Sequence, residues 1–453
     1  MKPMVRIASG QGFWGDLQRA PVDQVTGGPV DYLVMDYLAE VTMSILQKQR
    51  KKDPSLGYAR DLLPLMAEIL PVLMRKRIAV ITNGGGVNPL ACSNAILALA
   101  RKQGITGLKV GVVLGDDILP RLDDLMAQGH ELRHMETQEP LRTIRDRVQS
   151  ANVYFGAFPI VEALRRGAQI VITGRTTDTG LTLAPMIFEF GWKQDDWNLL
   201  AAGTVAGHIL ECGAQASGGN FSADWQNVPD LAHVGFPIAE AFPNGDVIIT
   251  KHEGTGGRVS RQTVAEQLVY EIGDPRRYVT PDCVADFTSI RLEEVGKDRV
   301  RVTGIAGSPS TEFYKVSASF SEGYTAVGTL TYSWPDAIAK AKKADEIIRT
   351  RLRDLGLQFE EIRTEFVGYN SSHGPLAPLP EDANEVVLRI GVRDGRYDAV
   401  ERFGREIAPL VLTGPPSVTG FAGGRPKPAE VVSYWPALLP KSTVQPEVQI
   451  LEA

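Results

Sequence analysis

The chain has 453 residues, 43% of them hydrophobic and 23% charged, with a net charge of −6 at pH 7. This is the composition of a globular protein with room for two or three domains, and without a basic stripe it argues against nucleic acid as a partner. Cys92, Cys212 and Cys283 lie too far apart for a disulfide framework, no apolar run reaches the roughly 18 residues that span a bilayer, and the start Met1-Lys2-Pro3-Met4-Val5-Arg6 has no signal-peptide core, so a cytoplasmic location with no membrane partner is expected.

Over residues 1–200 short apolar runs alternate with longer helical patterns, which predicts an α/β fold with an N-terminal Rossmann-like parallel sheet domain. Val5 to Ala8 is a first strand and Tyr32 to Met35 a second, closing on Asp36 before a helical stretch from Tyr37 to Gln49. Ile78 to Thr82 is a third, followed by Asn83-Gly84-Gly85-Gly86-Val87-Asn88-Pro89. Lys109 to Leu114 is a fourth, ending in Gly115-Asp116-Asp117, and Ala168 to Ile172 is a fifth, followed by Arg175-Thr176-Thr177-Asp178. Strand ends that repeatedly deliver Gly, Asp, Asn or Arg to one sheet edge mark a binding site, because parallel strands present their carboxyl ends on one side.

Residues 201–285 form a glycine-rich, site-forming region, and 286–412 read as an α+β domain. In the latter, strands at Phe287 to Leu292, Val300 to Ile305, Phe313 to Phe320 and Tyr324 to Tyr332 precede a helix from Pro335 to Leu355. Its apolar face is marked by Ile338, Ile347, Ile348, Leu352 and Leu355. Strands at Ile362 to Gly368 and Glu385 to Val392 and a helix from Arg396 to Leu412 complete that domain, and residues 413–453 are a wrapping tail.

Several segments offer chemistry. A guanidinium at Arg175 in a partly desolvated cleft needs an anionic partner, either Asp178 in an internal pair or a ligand, with Thr176 and Asp178 beside it. Asn83-Gly84-Gly85 lets backbone N–H groups approach an anion, or is simply a tight turn. His208, Glu211 and Cys212 share one face of a short helix running from Gly203 to Gly213, so the carboxylate can orient the imidazole as an acid/base couple; a core His and an inert buried Cys are the alternative. Lys251-His252-Glu253 with Arg258 is the densest ionisable cluster, where Lys251 and Arg258 could clamp an anion while His252 or Glu253 moves a proton. The six His are too scattered to form a metal-ligand run.

Four stretches in order resemble the acyclic terpene utilisation protein family. They are Asn83 to Pro89, Gly174 to Asp178, Gly207 to Gly213 and Lys251 to Gly257, and the likeness runs from about Ile7 to about Pro440. The resemblance implies a link to the breakdown of branched or unsaturated acids, often as CoA thioesters. Many similar proteins carry a C-terminal ferredoxin-like domain, so this chain resembles the large subunit without it, and a separate small ferredoxin-like-domain subunit is an expected partner beside a homo-oligomer.

The expected function is a cofactor-independent lyase of hydratase or dehydratase type on an unsaturated or hydroxy carboxylic acid or its CoA thioester. Such chemistry needs a base for the α-proton, an acid for the hydroxyl and donors for the enolate. His208, Glu211, His252 and Glu253 are the catalytic candidates. Asp36, Asn83, Gly84, Gly85, Asp116, Arg175, Thr176, Asp178, Lys251 and Arg258 are the substrate-binding ones. A non-catalytic acyl-CoA or organic-acid binding subunit of a catabolic complex is the competing reading.

Overall fold

The computed structural model describes residues 2–380, 383–420 and 423–453. The chain forms two compact units, one of residues 1–319 and 434–453, the other of 320–433. The first is built on a ten-stranded mixed sheet. Its centre holds strands β1 (Val5–Gln11), β2 (Tyr32–Met35), β3 (Ala79–Thr82), β4 (Lys109–Leu114) and β6 (Ile170–Thr173), parallel in the spatial order β1-β2-β3-β6-β4. Strand β5 (Val148–Val153) lies outside this order and pairs with the strand that begins at Phe313.

The parallel strands are near-continuous apolar runs, because helices cover both faces. Leu33, Val80, Val110 and Ile172 are fully buried with Leu46, Leu62, Met66, Ile69 and Ile96 from the helices Glu40–Lys52, Leu62–Lys76 and Pro89–Lys102. The sheet differs from an all-parallel one at both margins. Strands β7 (Ile238–Ala241) and β8 (Val247–Thr250) extend it antiparallel beyond β1, followed by Arg299–Thr303 and Arg291–Gly296. On the other side Glu447–Glu452 pairs antiparallel with β4.

Glu240 ties these added strands to β1. Its carboxylate pairs with Arg299 and accepts from Arg6, while the side chain is only 5% exposed. A buried charge is retained only when paired this way.

In the second unit, antiparallel pairing joins Glu361–Val367 to Glu385–Asp394, and the latter to residues 324–333. Helices Ala337–Asp354 and Tyr397–Ile407 pack on this sheet through Ala341, Ala344, Ile348, Leu352, Val400 and Phe403. The helix predicted from Pro335 to Leu355 thus buries an alanine-rich face. Ile338 and Ile347 sit at its margin, and Leu355 is 47% exposed.

Candidate functional site

The carboxyl ends of the parallel strands build the site, each fixed by the loop that follows. After β2, Asp36 accepts from the backbone N–H of Leu38 at 3.0 Å and from Asn83 Nδ2 at 2.6 Å. Asn83, which follows β3, accepts in turn from the Tyr37 N–H at 2.7 Å, so it braces Asp36 from beneath. Burial, and then the neighbouring Asp178, push the Asp36 carboxyl well above its ordinary range, against the opposing pull of Arg175.

After β6, the N–H of Arg175 donates to Asp116 Oδ2 at 2.8 Å, and Asn152 Nδ2 donates to the same oxygen at 2.9 Å. The guanidinium of Arg175 is buried. Its NH1 group donates to the Leu38 carbonyl at 2.6 Å and to Asp178 Oδ1 at 3.1 Å, and its Cζ lies 4.2 Å from the ring centre of Tyr154. Its Nε is buried without a hydrogen-bond partner.

A third element approaches from helix Trp197–Glu211. That helix starts six residues earlier than the Gly203 start read from the sequence, and of the added residues Leu200, Ala201 and Ala202 are buried while Asn198 is exposed. Gly207 lets it lie close: a Cβ there would stand 2.6 Å from the Cα and carbonyl oxygen of Thr179. At its end His208 Nδ1 and Glu211 Oε1 are 2.6 Å apart. The imidazole is packed against the rings of Tyr278 and Phe287, each 5.6 Å away between centres.

Burial raises the Glu211 carboxyl, and although burial alone would lower His208, the adjacent Glu211 raises it. The short contact couples the protonation of the two groups. His208 Nε2 and Glu211 Oε2 are both buried without partners.

These elements open on one cavity of about 570 Å³. Asp36, Arg175, Asp178 and Glu211 line it, with Asp16, Glu40, Cys212, Gln215, Asn220, Tyr270 and Glu271. Asp178 pairs with the Arg175 guanidinium at 3.1 Å, and the other carboxyl groups lining the cavity are those of Asp16, Asp36, Glu40, Glu211 and Glu271. Of the two partners expected for Arg175, the structure shows the internal one, Asp178. Cys212 faces this cavity as a thiol, since burial pushes its pKa up to about 12.

Other expected residues stand behind the cavity or away from it. Asn83, Asp116 and Thr176 are fully or almost fully buried and support the loops, Thr176 Oγ1 donating to the Phe155 carbonyl at 2.8 Å. Burial pushes Asp116 up to about 7. Gly84 and Gly85 lie in tight packing, a Cβ on Gly85 standing 2.6 Å from the Thr173 carbonyl oxygen.

The 251–258 cluster does not reach the cavity. Lys251 Nζ donates to the Thr255 carbonyl at 2.8 Å and lies 3.5 Å from Asp298. The His252 ring packs on Gly27 and Gly28, and its Nε2 is 2.9 Å from the Gln24 carbonyl. Glu253 is exposed, and Arg258 pairs with Asp224 at 3.3 Å beside the Phe221 ring. The cause is the antiparallel pairing of β7 and β8, which carries this loop beside β1 and the helix Ala20–Gly27.

Sequence reading also passed over part of the site. Glu40, the first residue of helix Glu40–Lys52, lines the cavity and accepts from Tyr154 OH at 3.2 Å. Lys315 Nζ lies 4.0 Å from Glu40 Oε1 and 5.0 Å from the Tyr154 ring centre. The only signal for Glu40 was its place four residues beyond Asp36, at a helix start. Tyr154 and Lys315 meet it through pairing between distant strands, the Tyr154 N–H donating to the Lys315 carbonyl at 2.9 Å.

Among the described residues no group of His, Cys, Asp and Glu is arranged to hold a metal ion, and no helix is long and apolar enough to cross a membrane. No curated protein and no solved structure matches the chain. The family model described as "Acyclic terpene utilisation family protein AtuA" matches residues 5–450. That match spans the strand ends, the His208–Glu211 helix and the cavity they enclose, and the chain belongs to the acyclic terpene utilisation family.

Proposed function

We propose that the carboxyl ends of a Rossmann-like parallel core carry a proton-transferring lyase site, of hydratase or dehydratase type, for an unsaturated or hydroxy acyl group. The observation that carries this reading is the Glu211–His208 couple. One carboxyl oxygen is fixed by the imidazole at 2.6 Å, and the other is buried with no protein partner beside the cavity that Glu211 lines.

Dehydration of a 3-hydroxyacyl compound breaks the α C–H and β C–O bonds and forms a C=C bond. A base accepts the α-proton, and an acid gives a proton to the leaving hydroxyl, which departs as water. Asp36 and Glu211, both raised by burial, supply the acid function. Arg175 Nε supplies a donor toward charge developing on the acyl oxygen. An acid-lined cavity accepts the uncharged carbonyl of a thioester at the reacting centre more readily than a carboxylate there.

The test is α-hydrogen exchange. Short 3-hydroxyacyl and 2-enoyl CoA thioesters, and the corresponding free acids, are incubated with the protein in heavy water and followed by NMR. Deuterium at the α-carbon of a thioester is expected. Binding without exchange across both series would overturn the lyase and leave an acyl-CoA or organic-acid binding subunit.

A further inference from the structure

We propose that Glu40 is the reactive, ionised carboxylate of the cavity and the base of the lyase reaction, an inference that rests on the proton-transfer reading and adds a residue to it. Glu40 stands at the first position of helix Glu40–Lys52, where the unpaired N–H groups and dipole of the helix favour a negative charge. Its Oε1 accepts from Tyr154 OH at 3.2 Å and lies 4.0 Å from Lys315 Nζ. The Tyr154 ring that carries this hydroxyl is flanked by the Arg175 guanidinium at 4.2 Å and the Lys315 ammonium at 5.0 Å. A phenol and an ammonium thus approach one carboxylate that remains 40% exposed, and Arg175 lies against the same phenol ring.

The contrast with its neighbours gives the role. Burial works against ionisation at Glu40, yet its own backbone N–H, Arg175, Lys315 and Tyr154 together lower it below the ordinary carboxylate range. Asp36, four residues earlier on the same loop, is raised by burial, and so is Glu211. Carboxyl groups that line one cavity but are driven in opposite directions divide into base and acid. Glu40 accepts the α-proton, and Asp36 or Glu211 gives one to the departing hydroxyl, so one proton enters and one leaves the carboxyl set per turnover.

Phenyl glycidyl ether, a neutral epoxide, tests this without a known substrate. A carboxylate oxygen attacks the terminal epoxide carbon, an O–C ester bond forms, the ring C–O bond breaks, and the released oxygen takes a proton from a neighbouring acid or water. Peptide mapping should place one adduct on Glu40, and Glu40→Gln should slow total labelling at least ~10-fold. Lys315→Met and Tyr154→Phe should move the pH of half-maximal labelling upward, since each removes a group that favours the ionised form; a merely structural role would leave that pH in place. An adduct on Asp36, Asp178 or Glu211, an unmoved labelling rate in Glu40→Gln, or no labelling at all would overturn the proposal.

The two readings separate. Glu40 labelled in a protein that exchanges no α-hydrogen supports the reactive carboxylate while defeating the lyase. Exchange that persists unchanged in folded Glu40→Gln defeats the base assignment alone.

Discussion

Asp116 Oδ2 receives the backbone N–H of Arg175 at 2.8 Å, so a buried carboxyl at the end of one strand sets the turn that carries the guanidinium at the end of the next. The carboxyl is 5% exposed, and burial raises it from 3.8 to about 7. The unfolded chain releases this proton near pH 4, whereas the folded chain keeps it until near neutrality. The contribution is therefore fully present below about pH 4 and declines as pH rises toward 7. In Asp116→Asn that part of the decline should vanish. Unfolding free energies from urea titrations at acid and neutral pH should then differ less than in the parent, by up to about 4 kcal/mol. An unchanged pH dependence would show that Asp116 does not titrate in this window.

His252→Ala should lower stability by about 2 kcal/mol and leave α-hydrogen exchange in the folded protein unchanged. The ring fills the space over Gly27 and Gly28 and bonds the Gln24 carbonyl, so its removal leaves a gap and an unpaired acceptor, but nothing in the cavity. Thermal denaturation and exchange measured on one preparation decide this, and a large fall in exchange would return His252 to the chemistry.

His208→Asn should act on turnover through Glu211. Loss of the imidazole at 2.6 Å frees the carboxyl from its orientation and its coupled protonation. Exchange should fall about 10²-fold, with the acid limb of the pH profile displaced. Glu211→Gln should fall at least as far. Equal activity of both variants and the parent would remove this couple from the site.

Gly207→Ala should cost about 1–3 kcal/mol, because the added methyl meets the Cα and carbonyl of Thr179 at 2.6 Å. The same push moves the helix that carries Glu211 away from the turn that carries Asp178. Exchange should therefore fall more steeply than stability, measured at a temperature where the variant is folded.

Much of the first unit was legible. Tyr32–Met35 and Lys109–Leu114 stand where the apolar runs placed them, since buried parallel strands need unbroken hydrophobic segments. The approach of Asp36 to Asn83, and of Asp116 to the Arg175 turn, follows from that order. The short antiparallel strands were harder. Ile238–Ala241 contains Glu240, whose charge reads as surface until Arg6 and Arg299 close on it. Once that strand and Val247–Thr250 pair beside β1, His252 is carried to the helix Ala20–Gly27, an outcome that local composition does not contain. Glu40 was illegible for a related reason: one glutamate at a helix start is ordinary, and Tyr154 and Lys315 reach it only through tertiary pairing.

The strand Glu447–Glu452 has a consequence for how the chain is made. It completes the first unit by pairing with Lys109–Leu114, although more than three hundred residues separate the two in the sequence. As the protein leaves the ribosome, the parallel strands emerge early, yet the margin at Lys109–Leu114 stays open until residues 447–452 have emerged. Residues 320–433 emerge meanwhile and can pair among themselves. The nascent chain therefore carries an unsatisfied row of backbone donors and acceptors while the intervening residues 115–446 are made, the interval in which an exposed edge strand invites wrong partners and a holding chaperone is most useful.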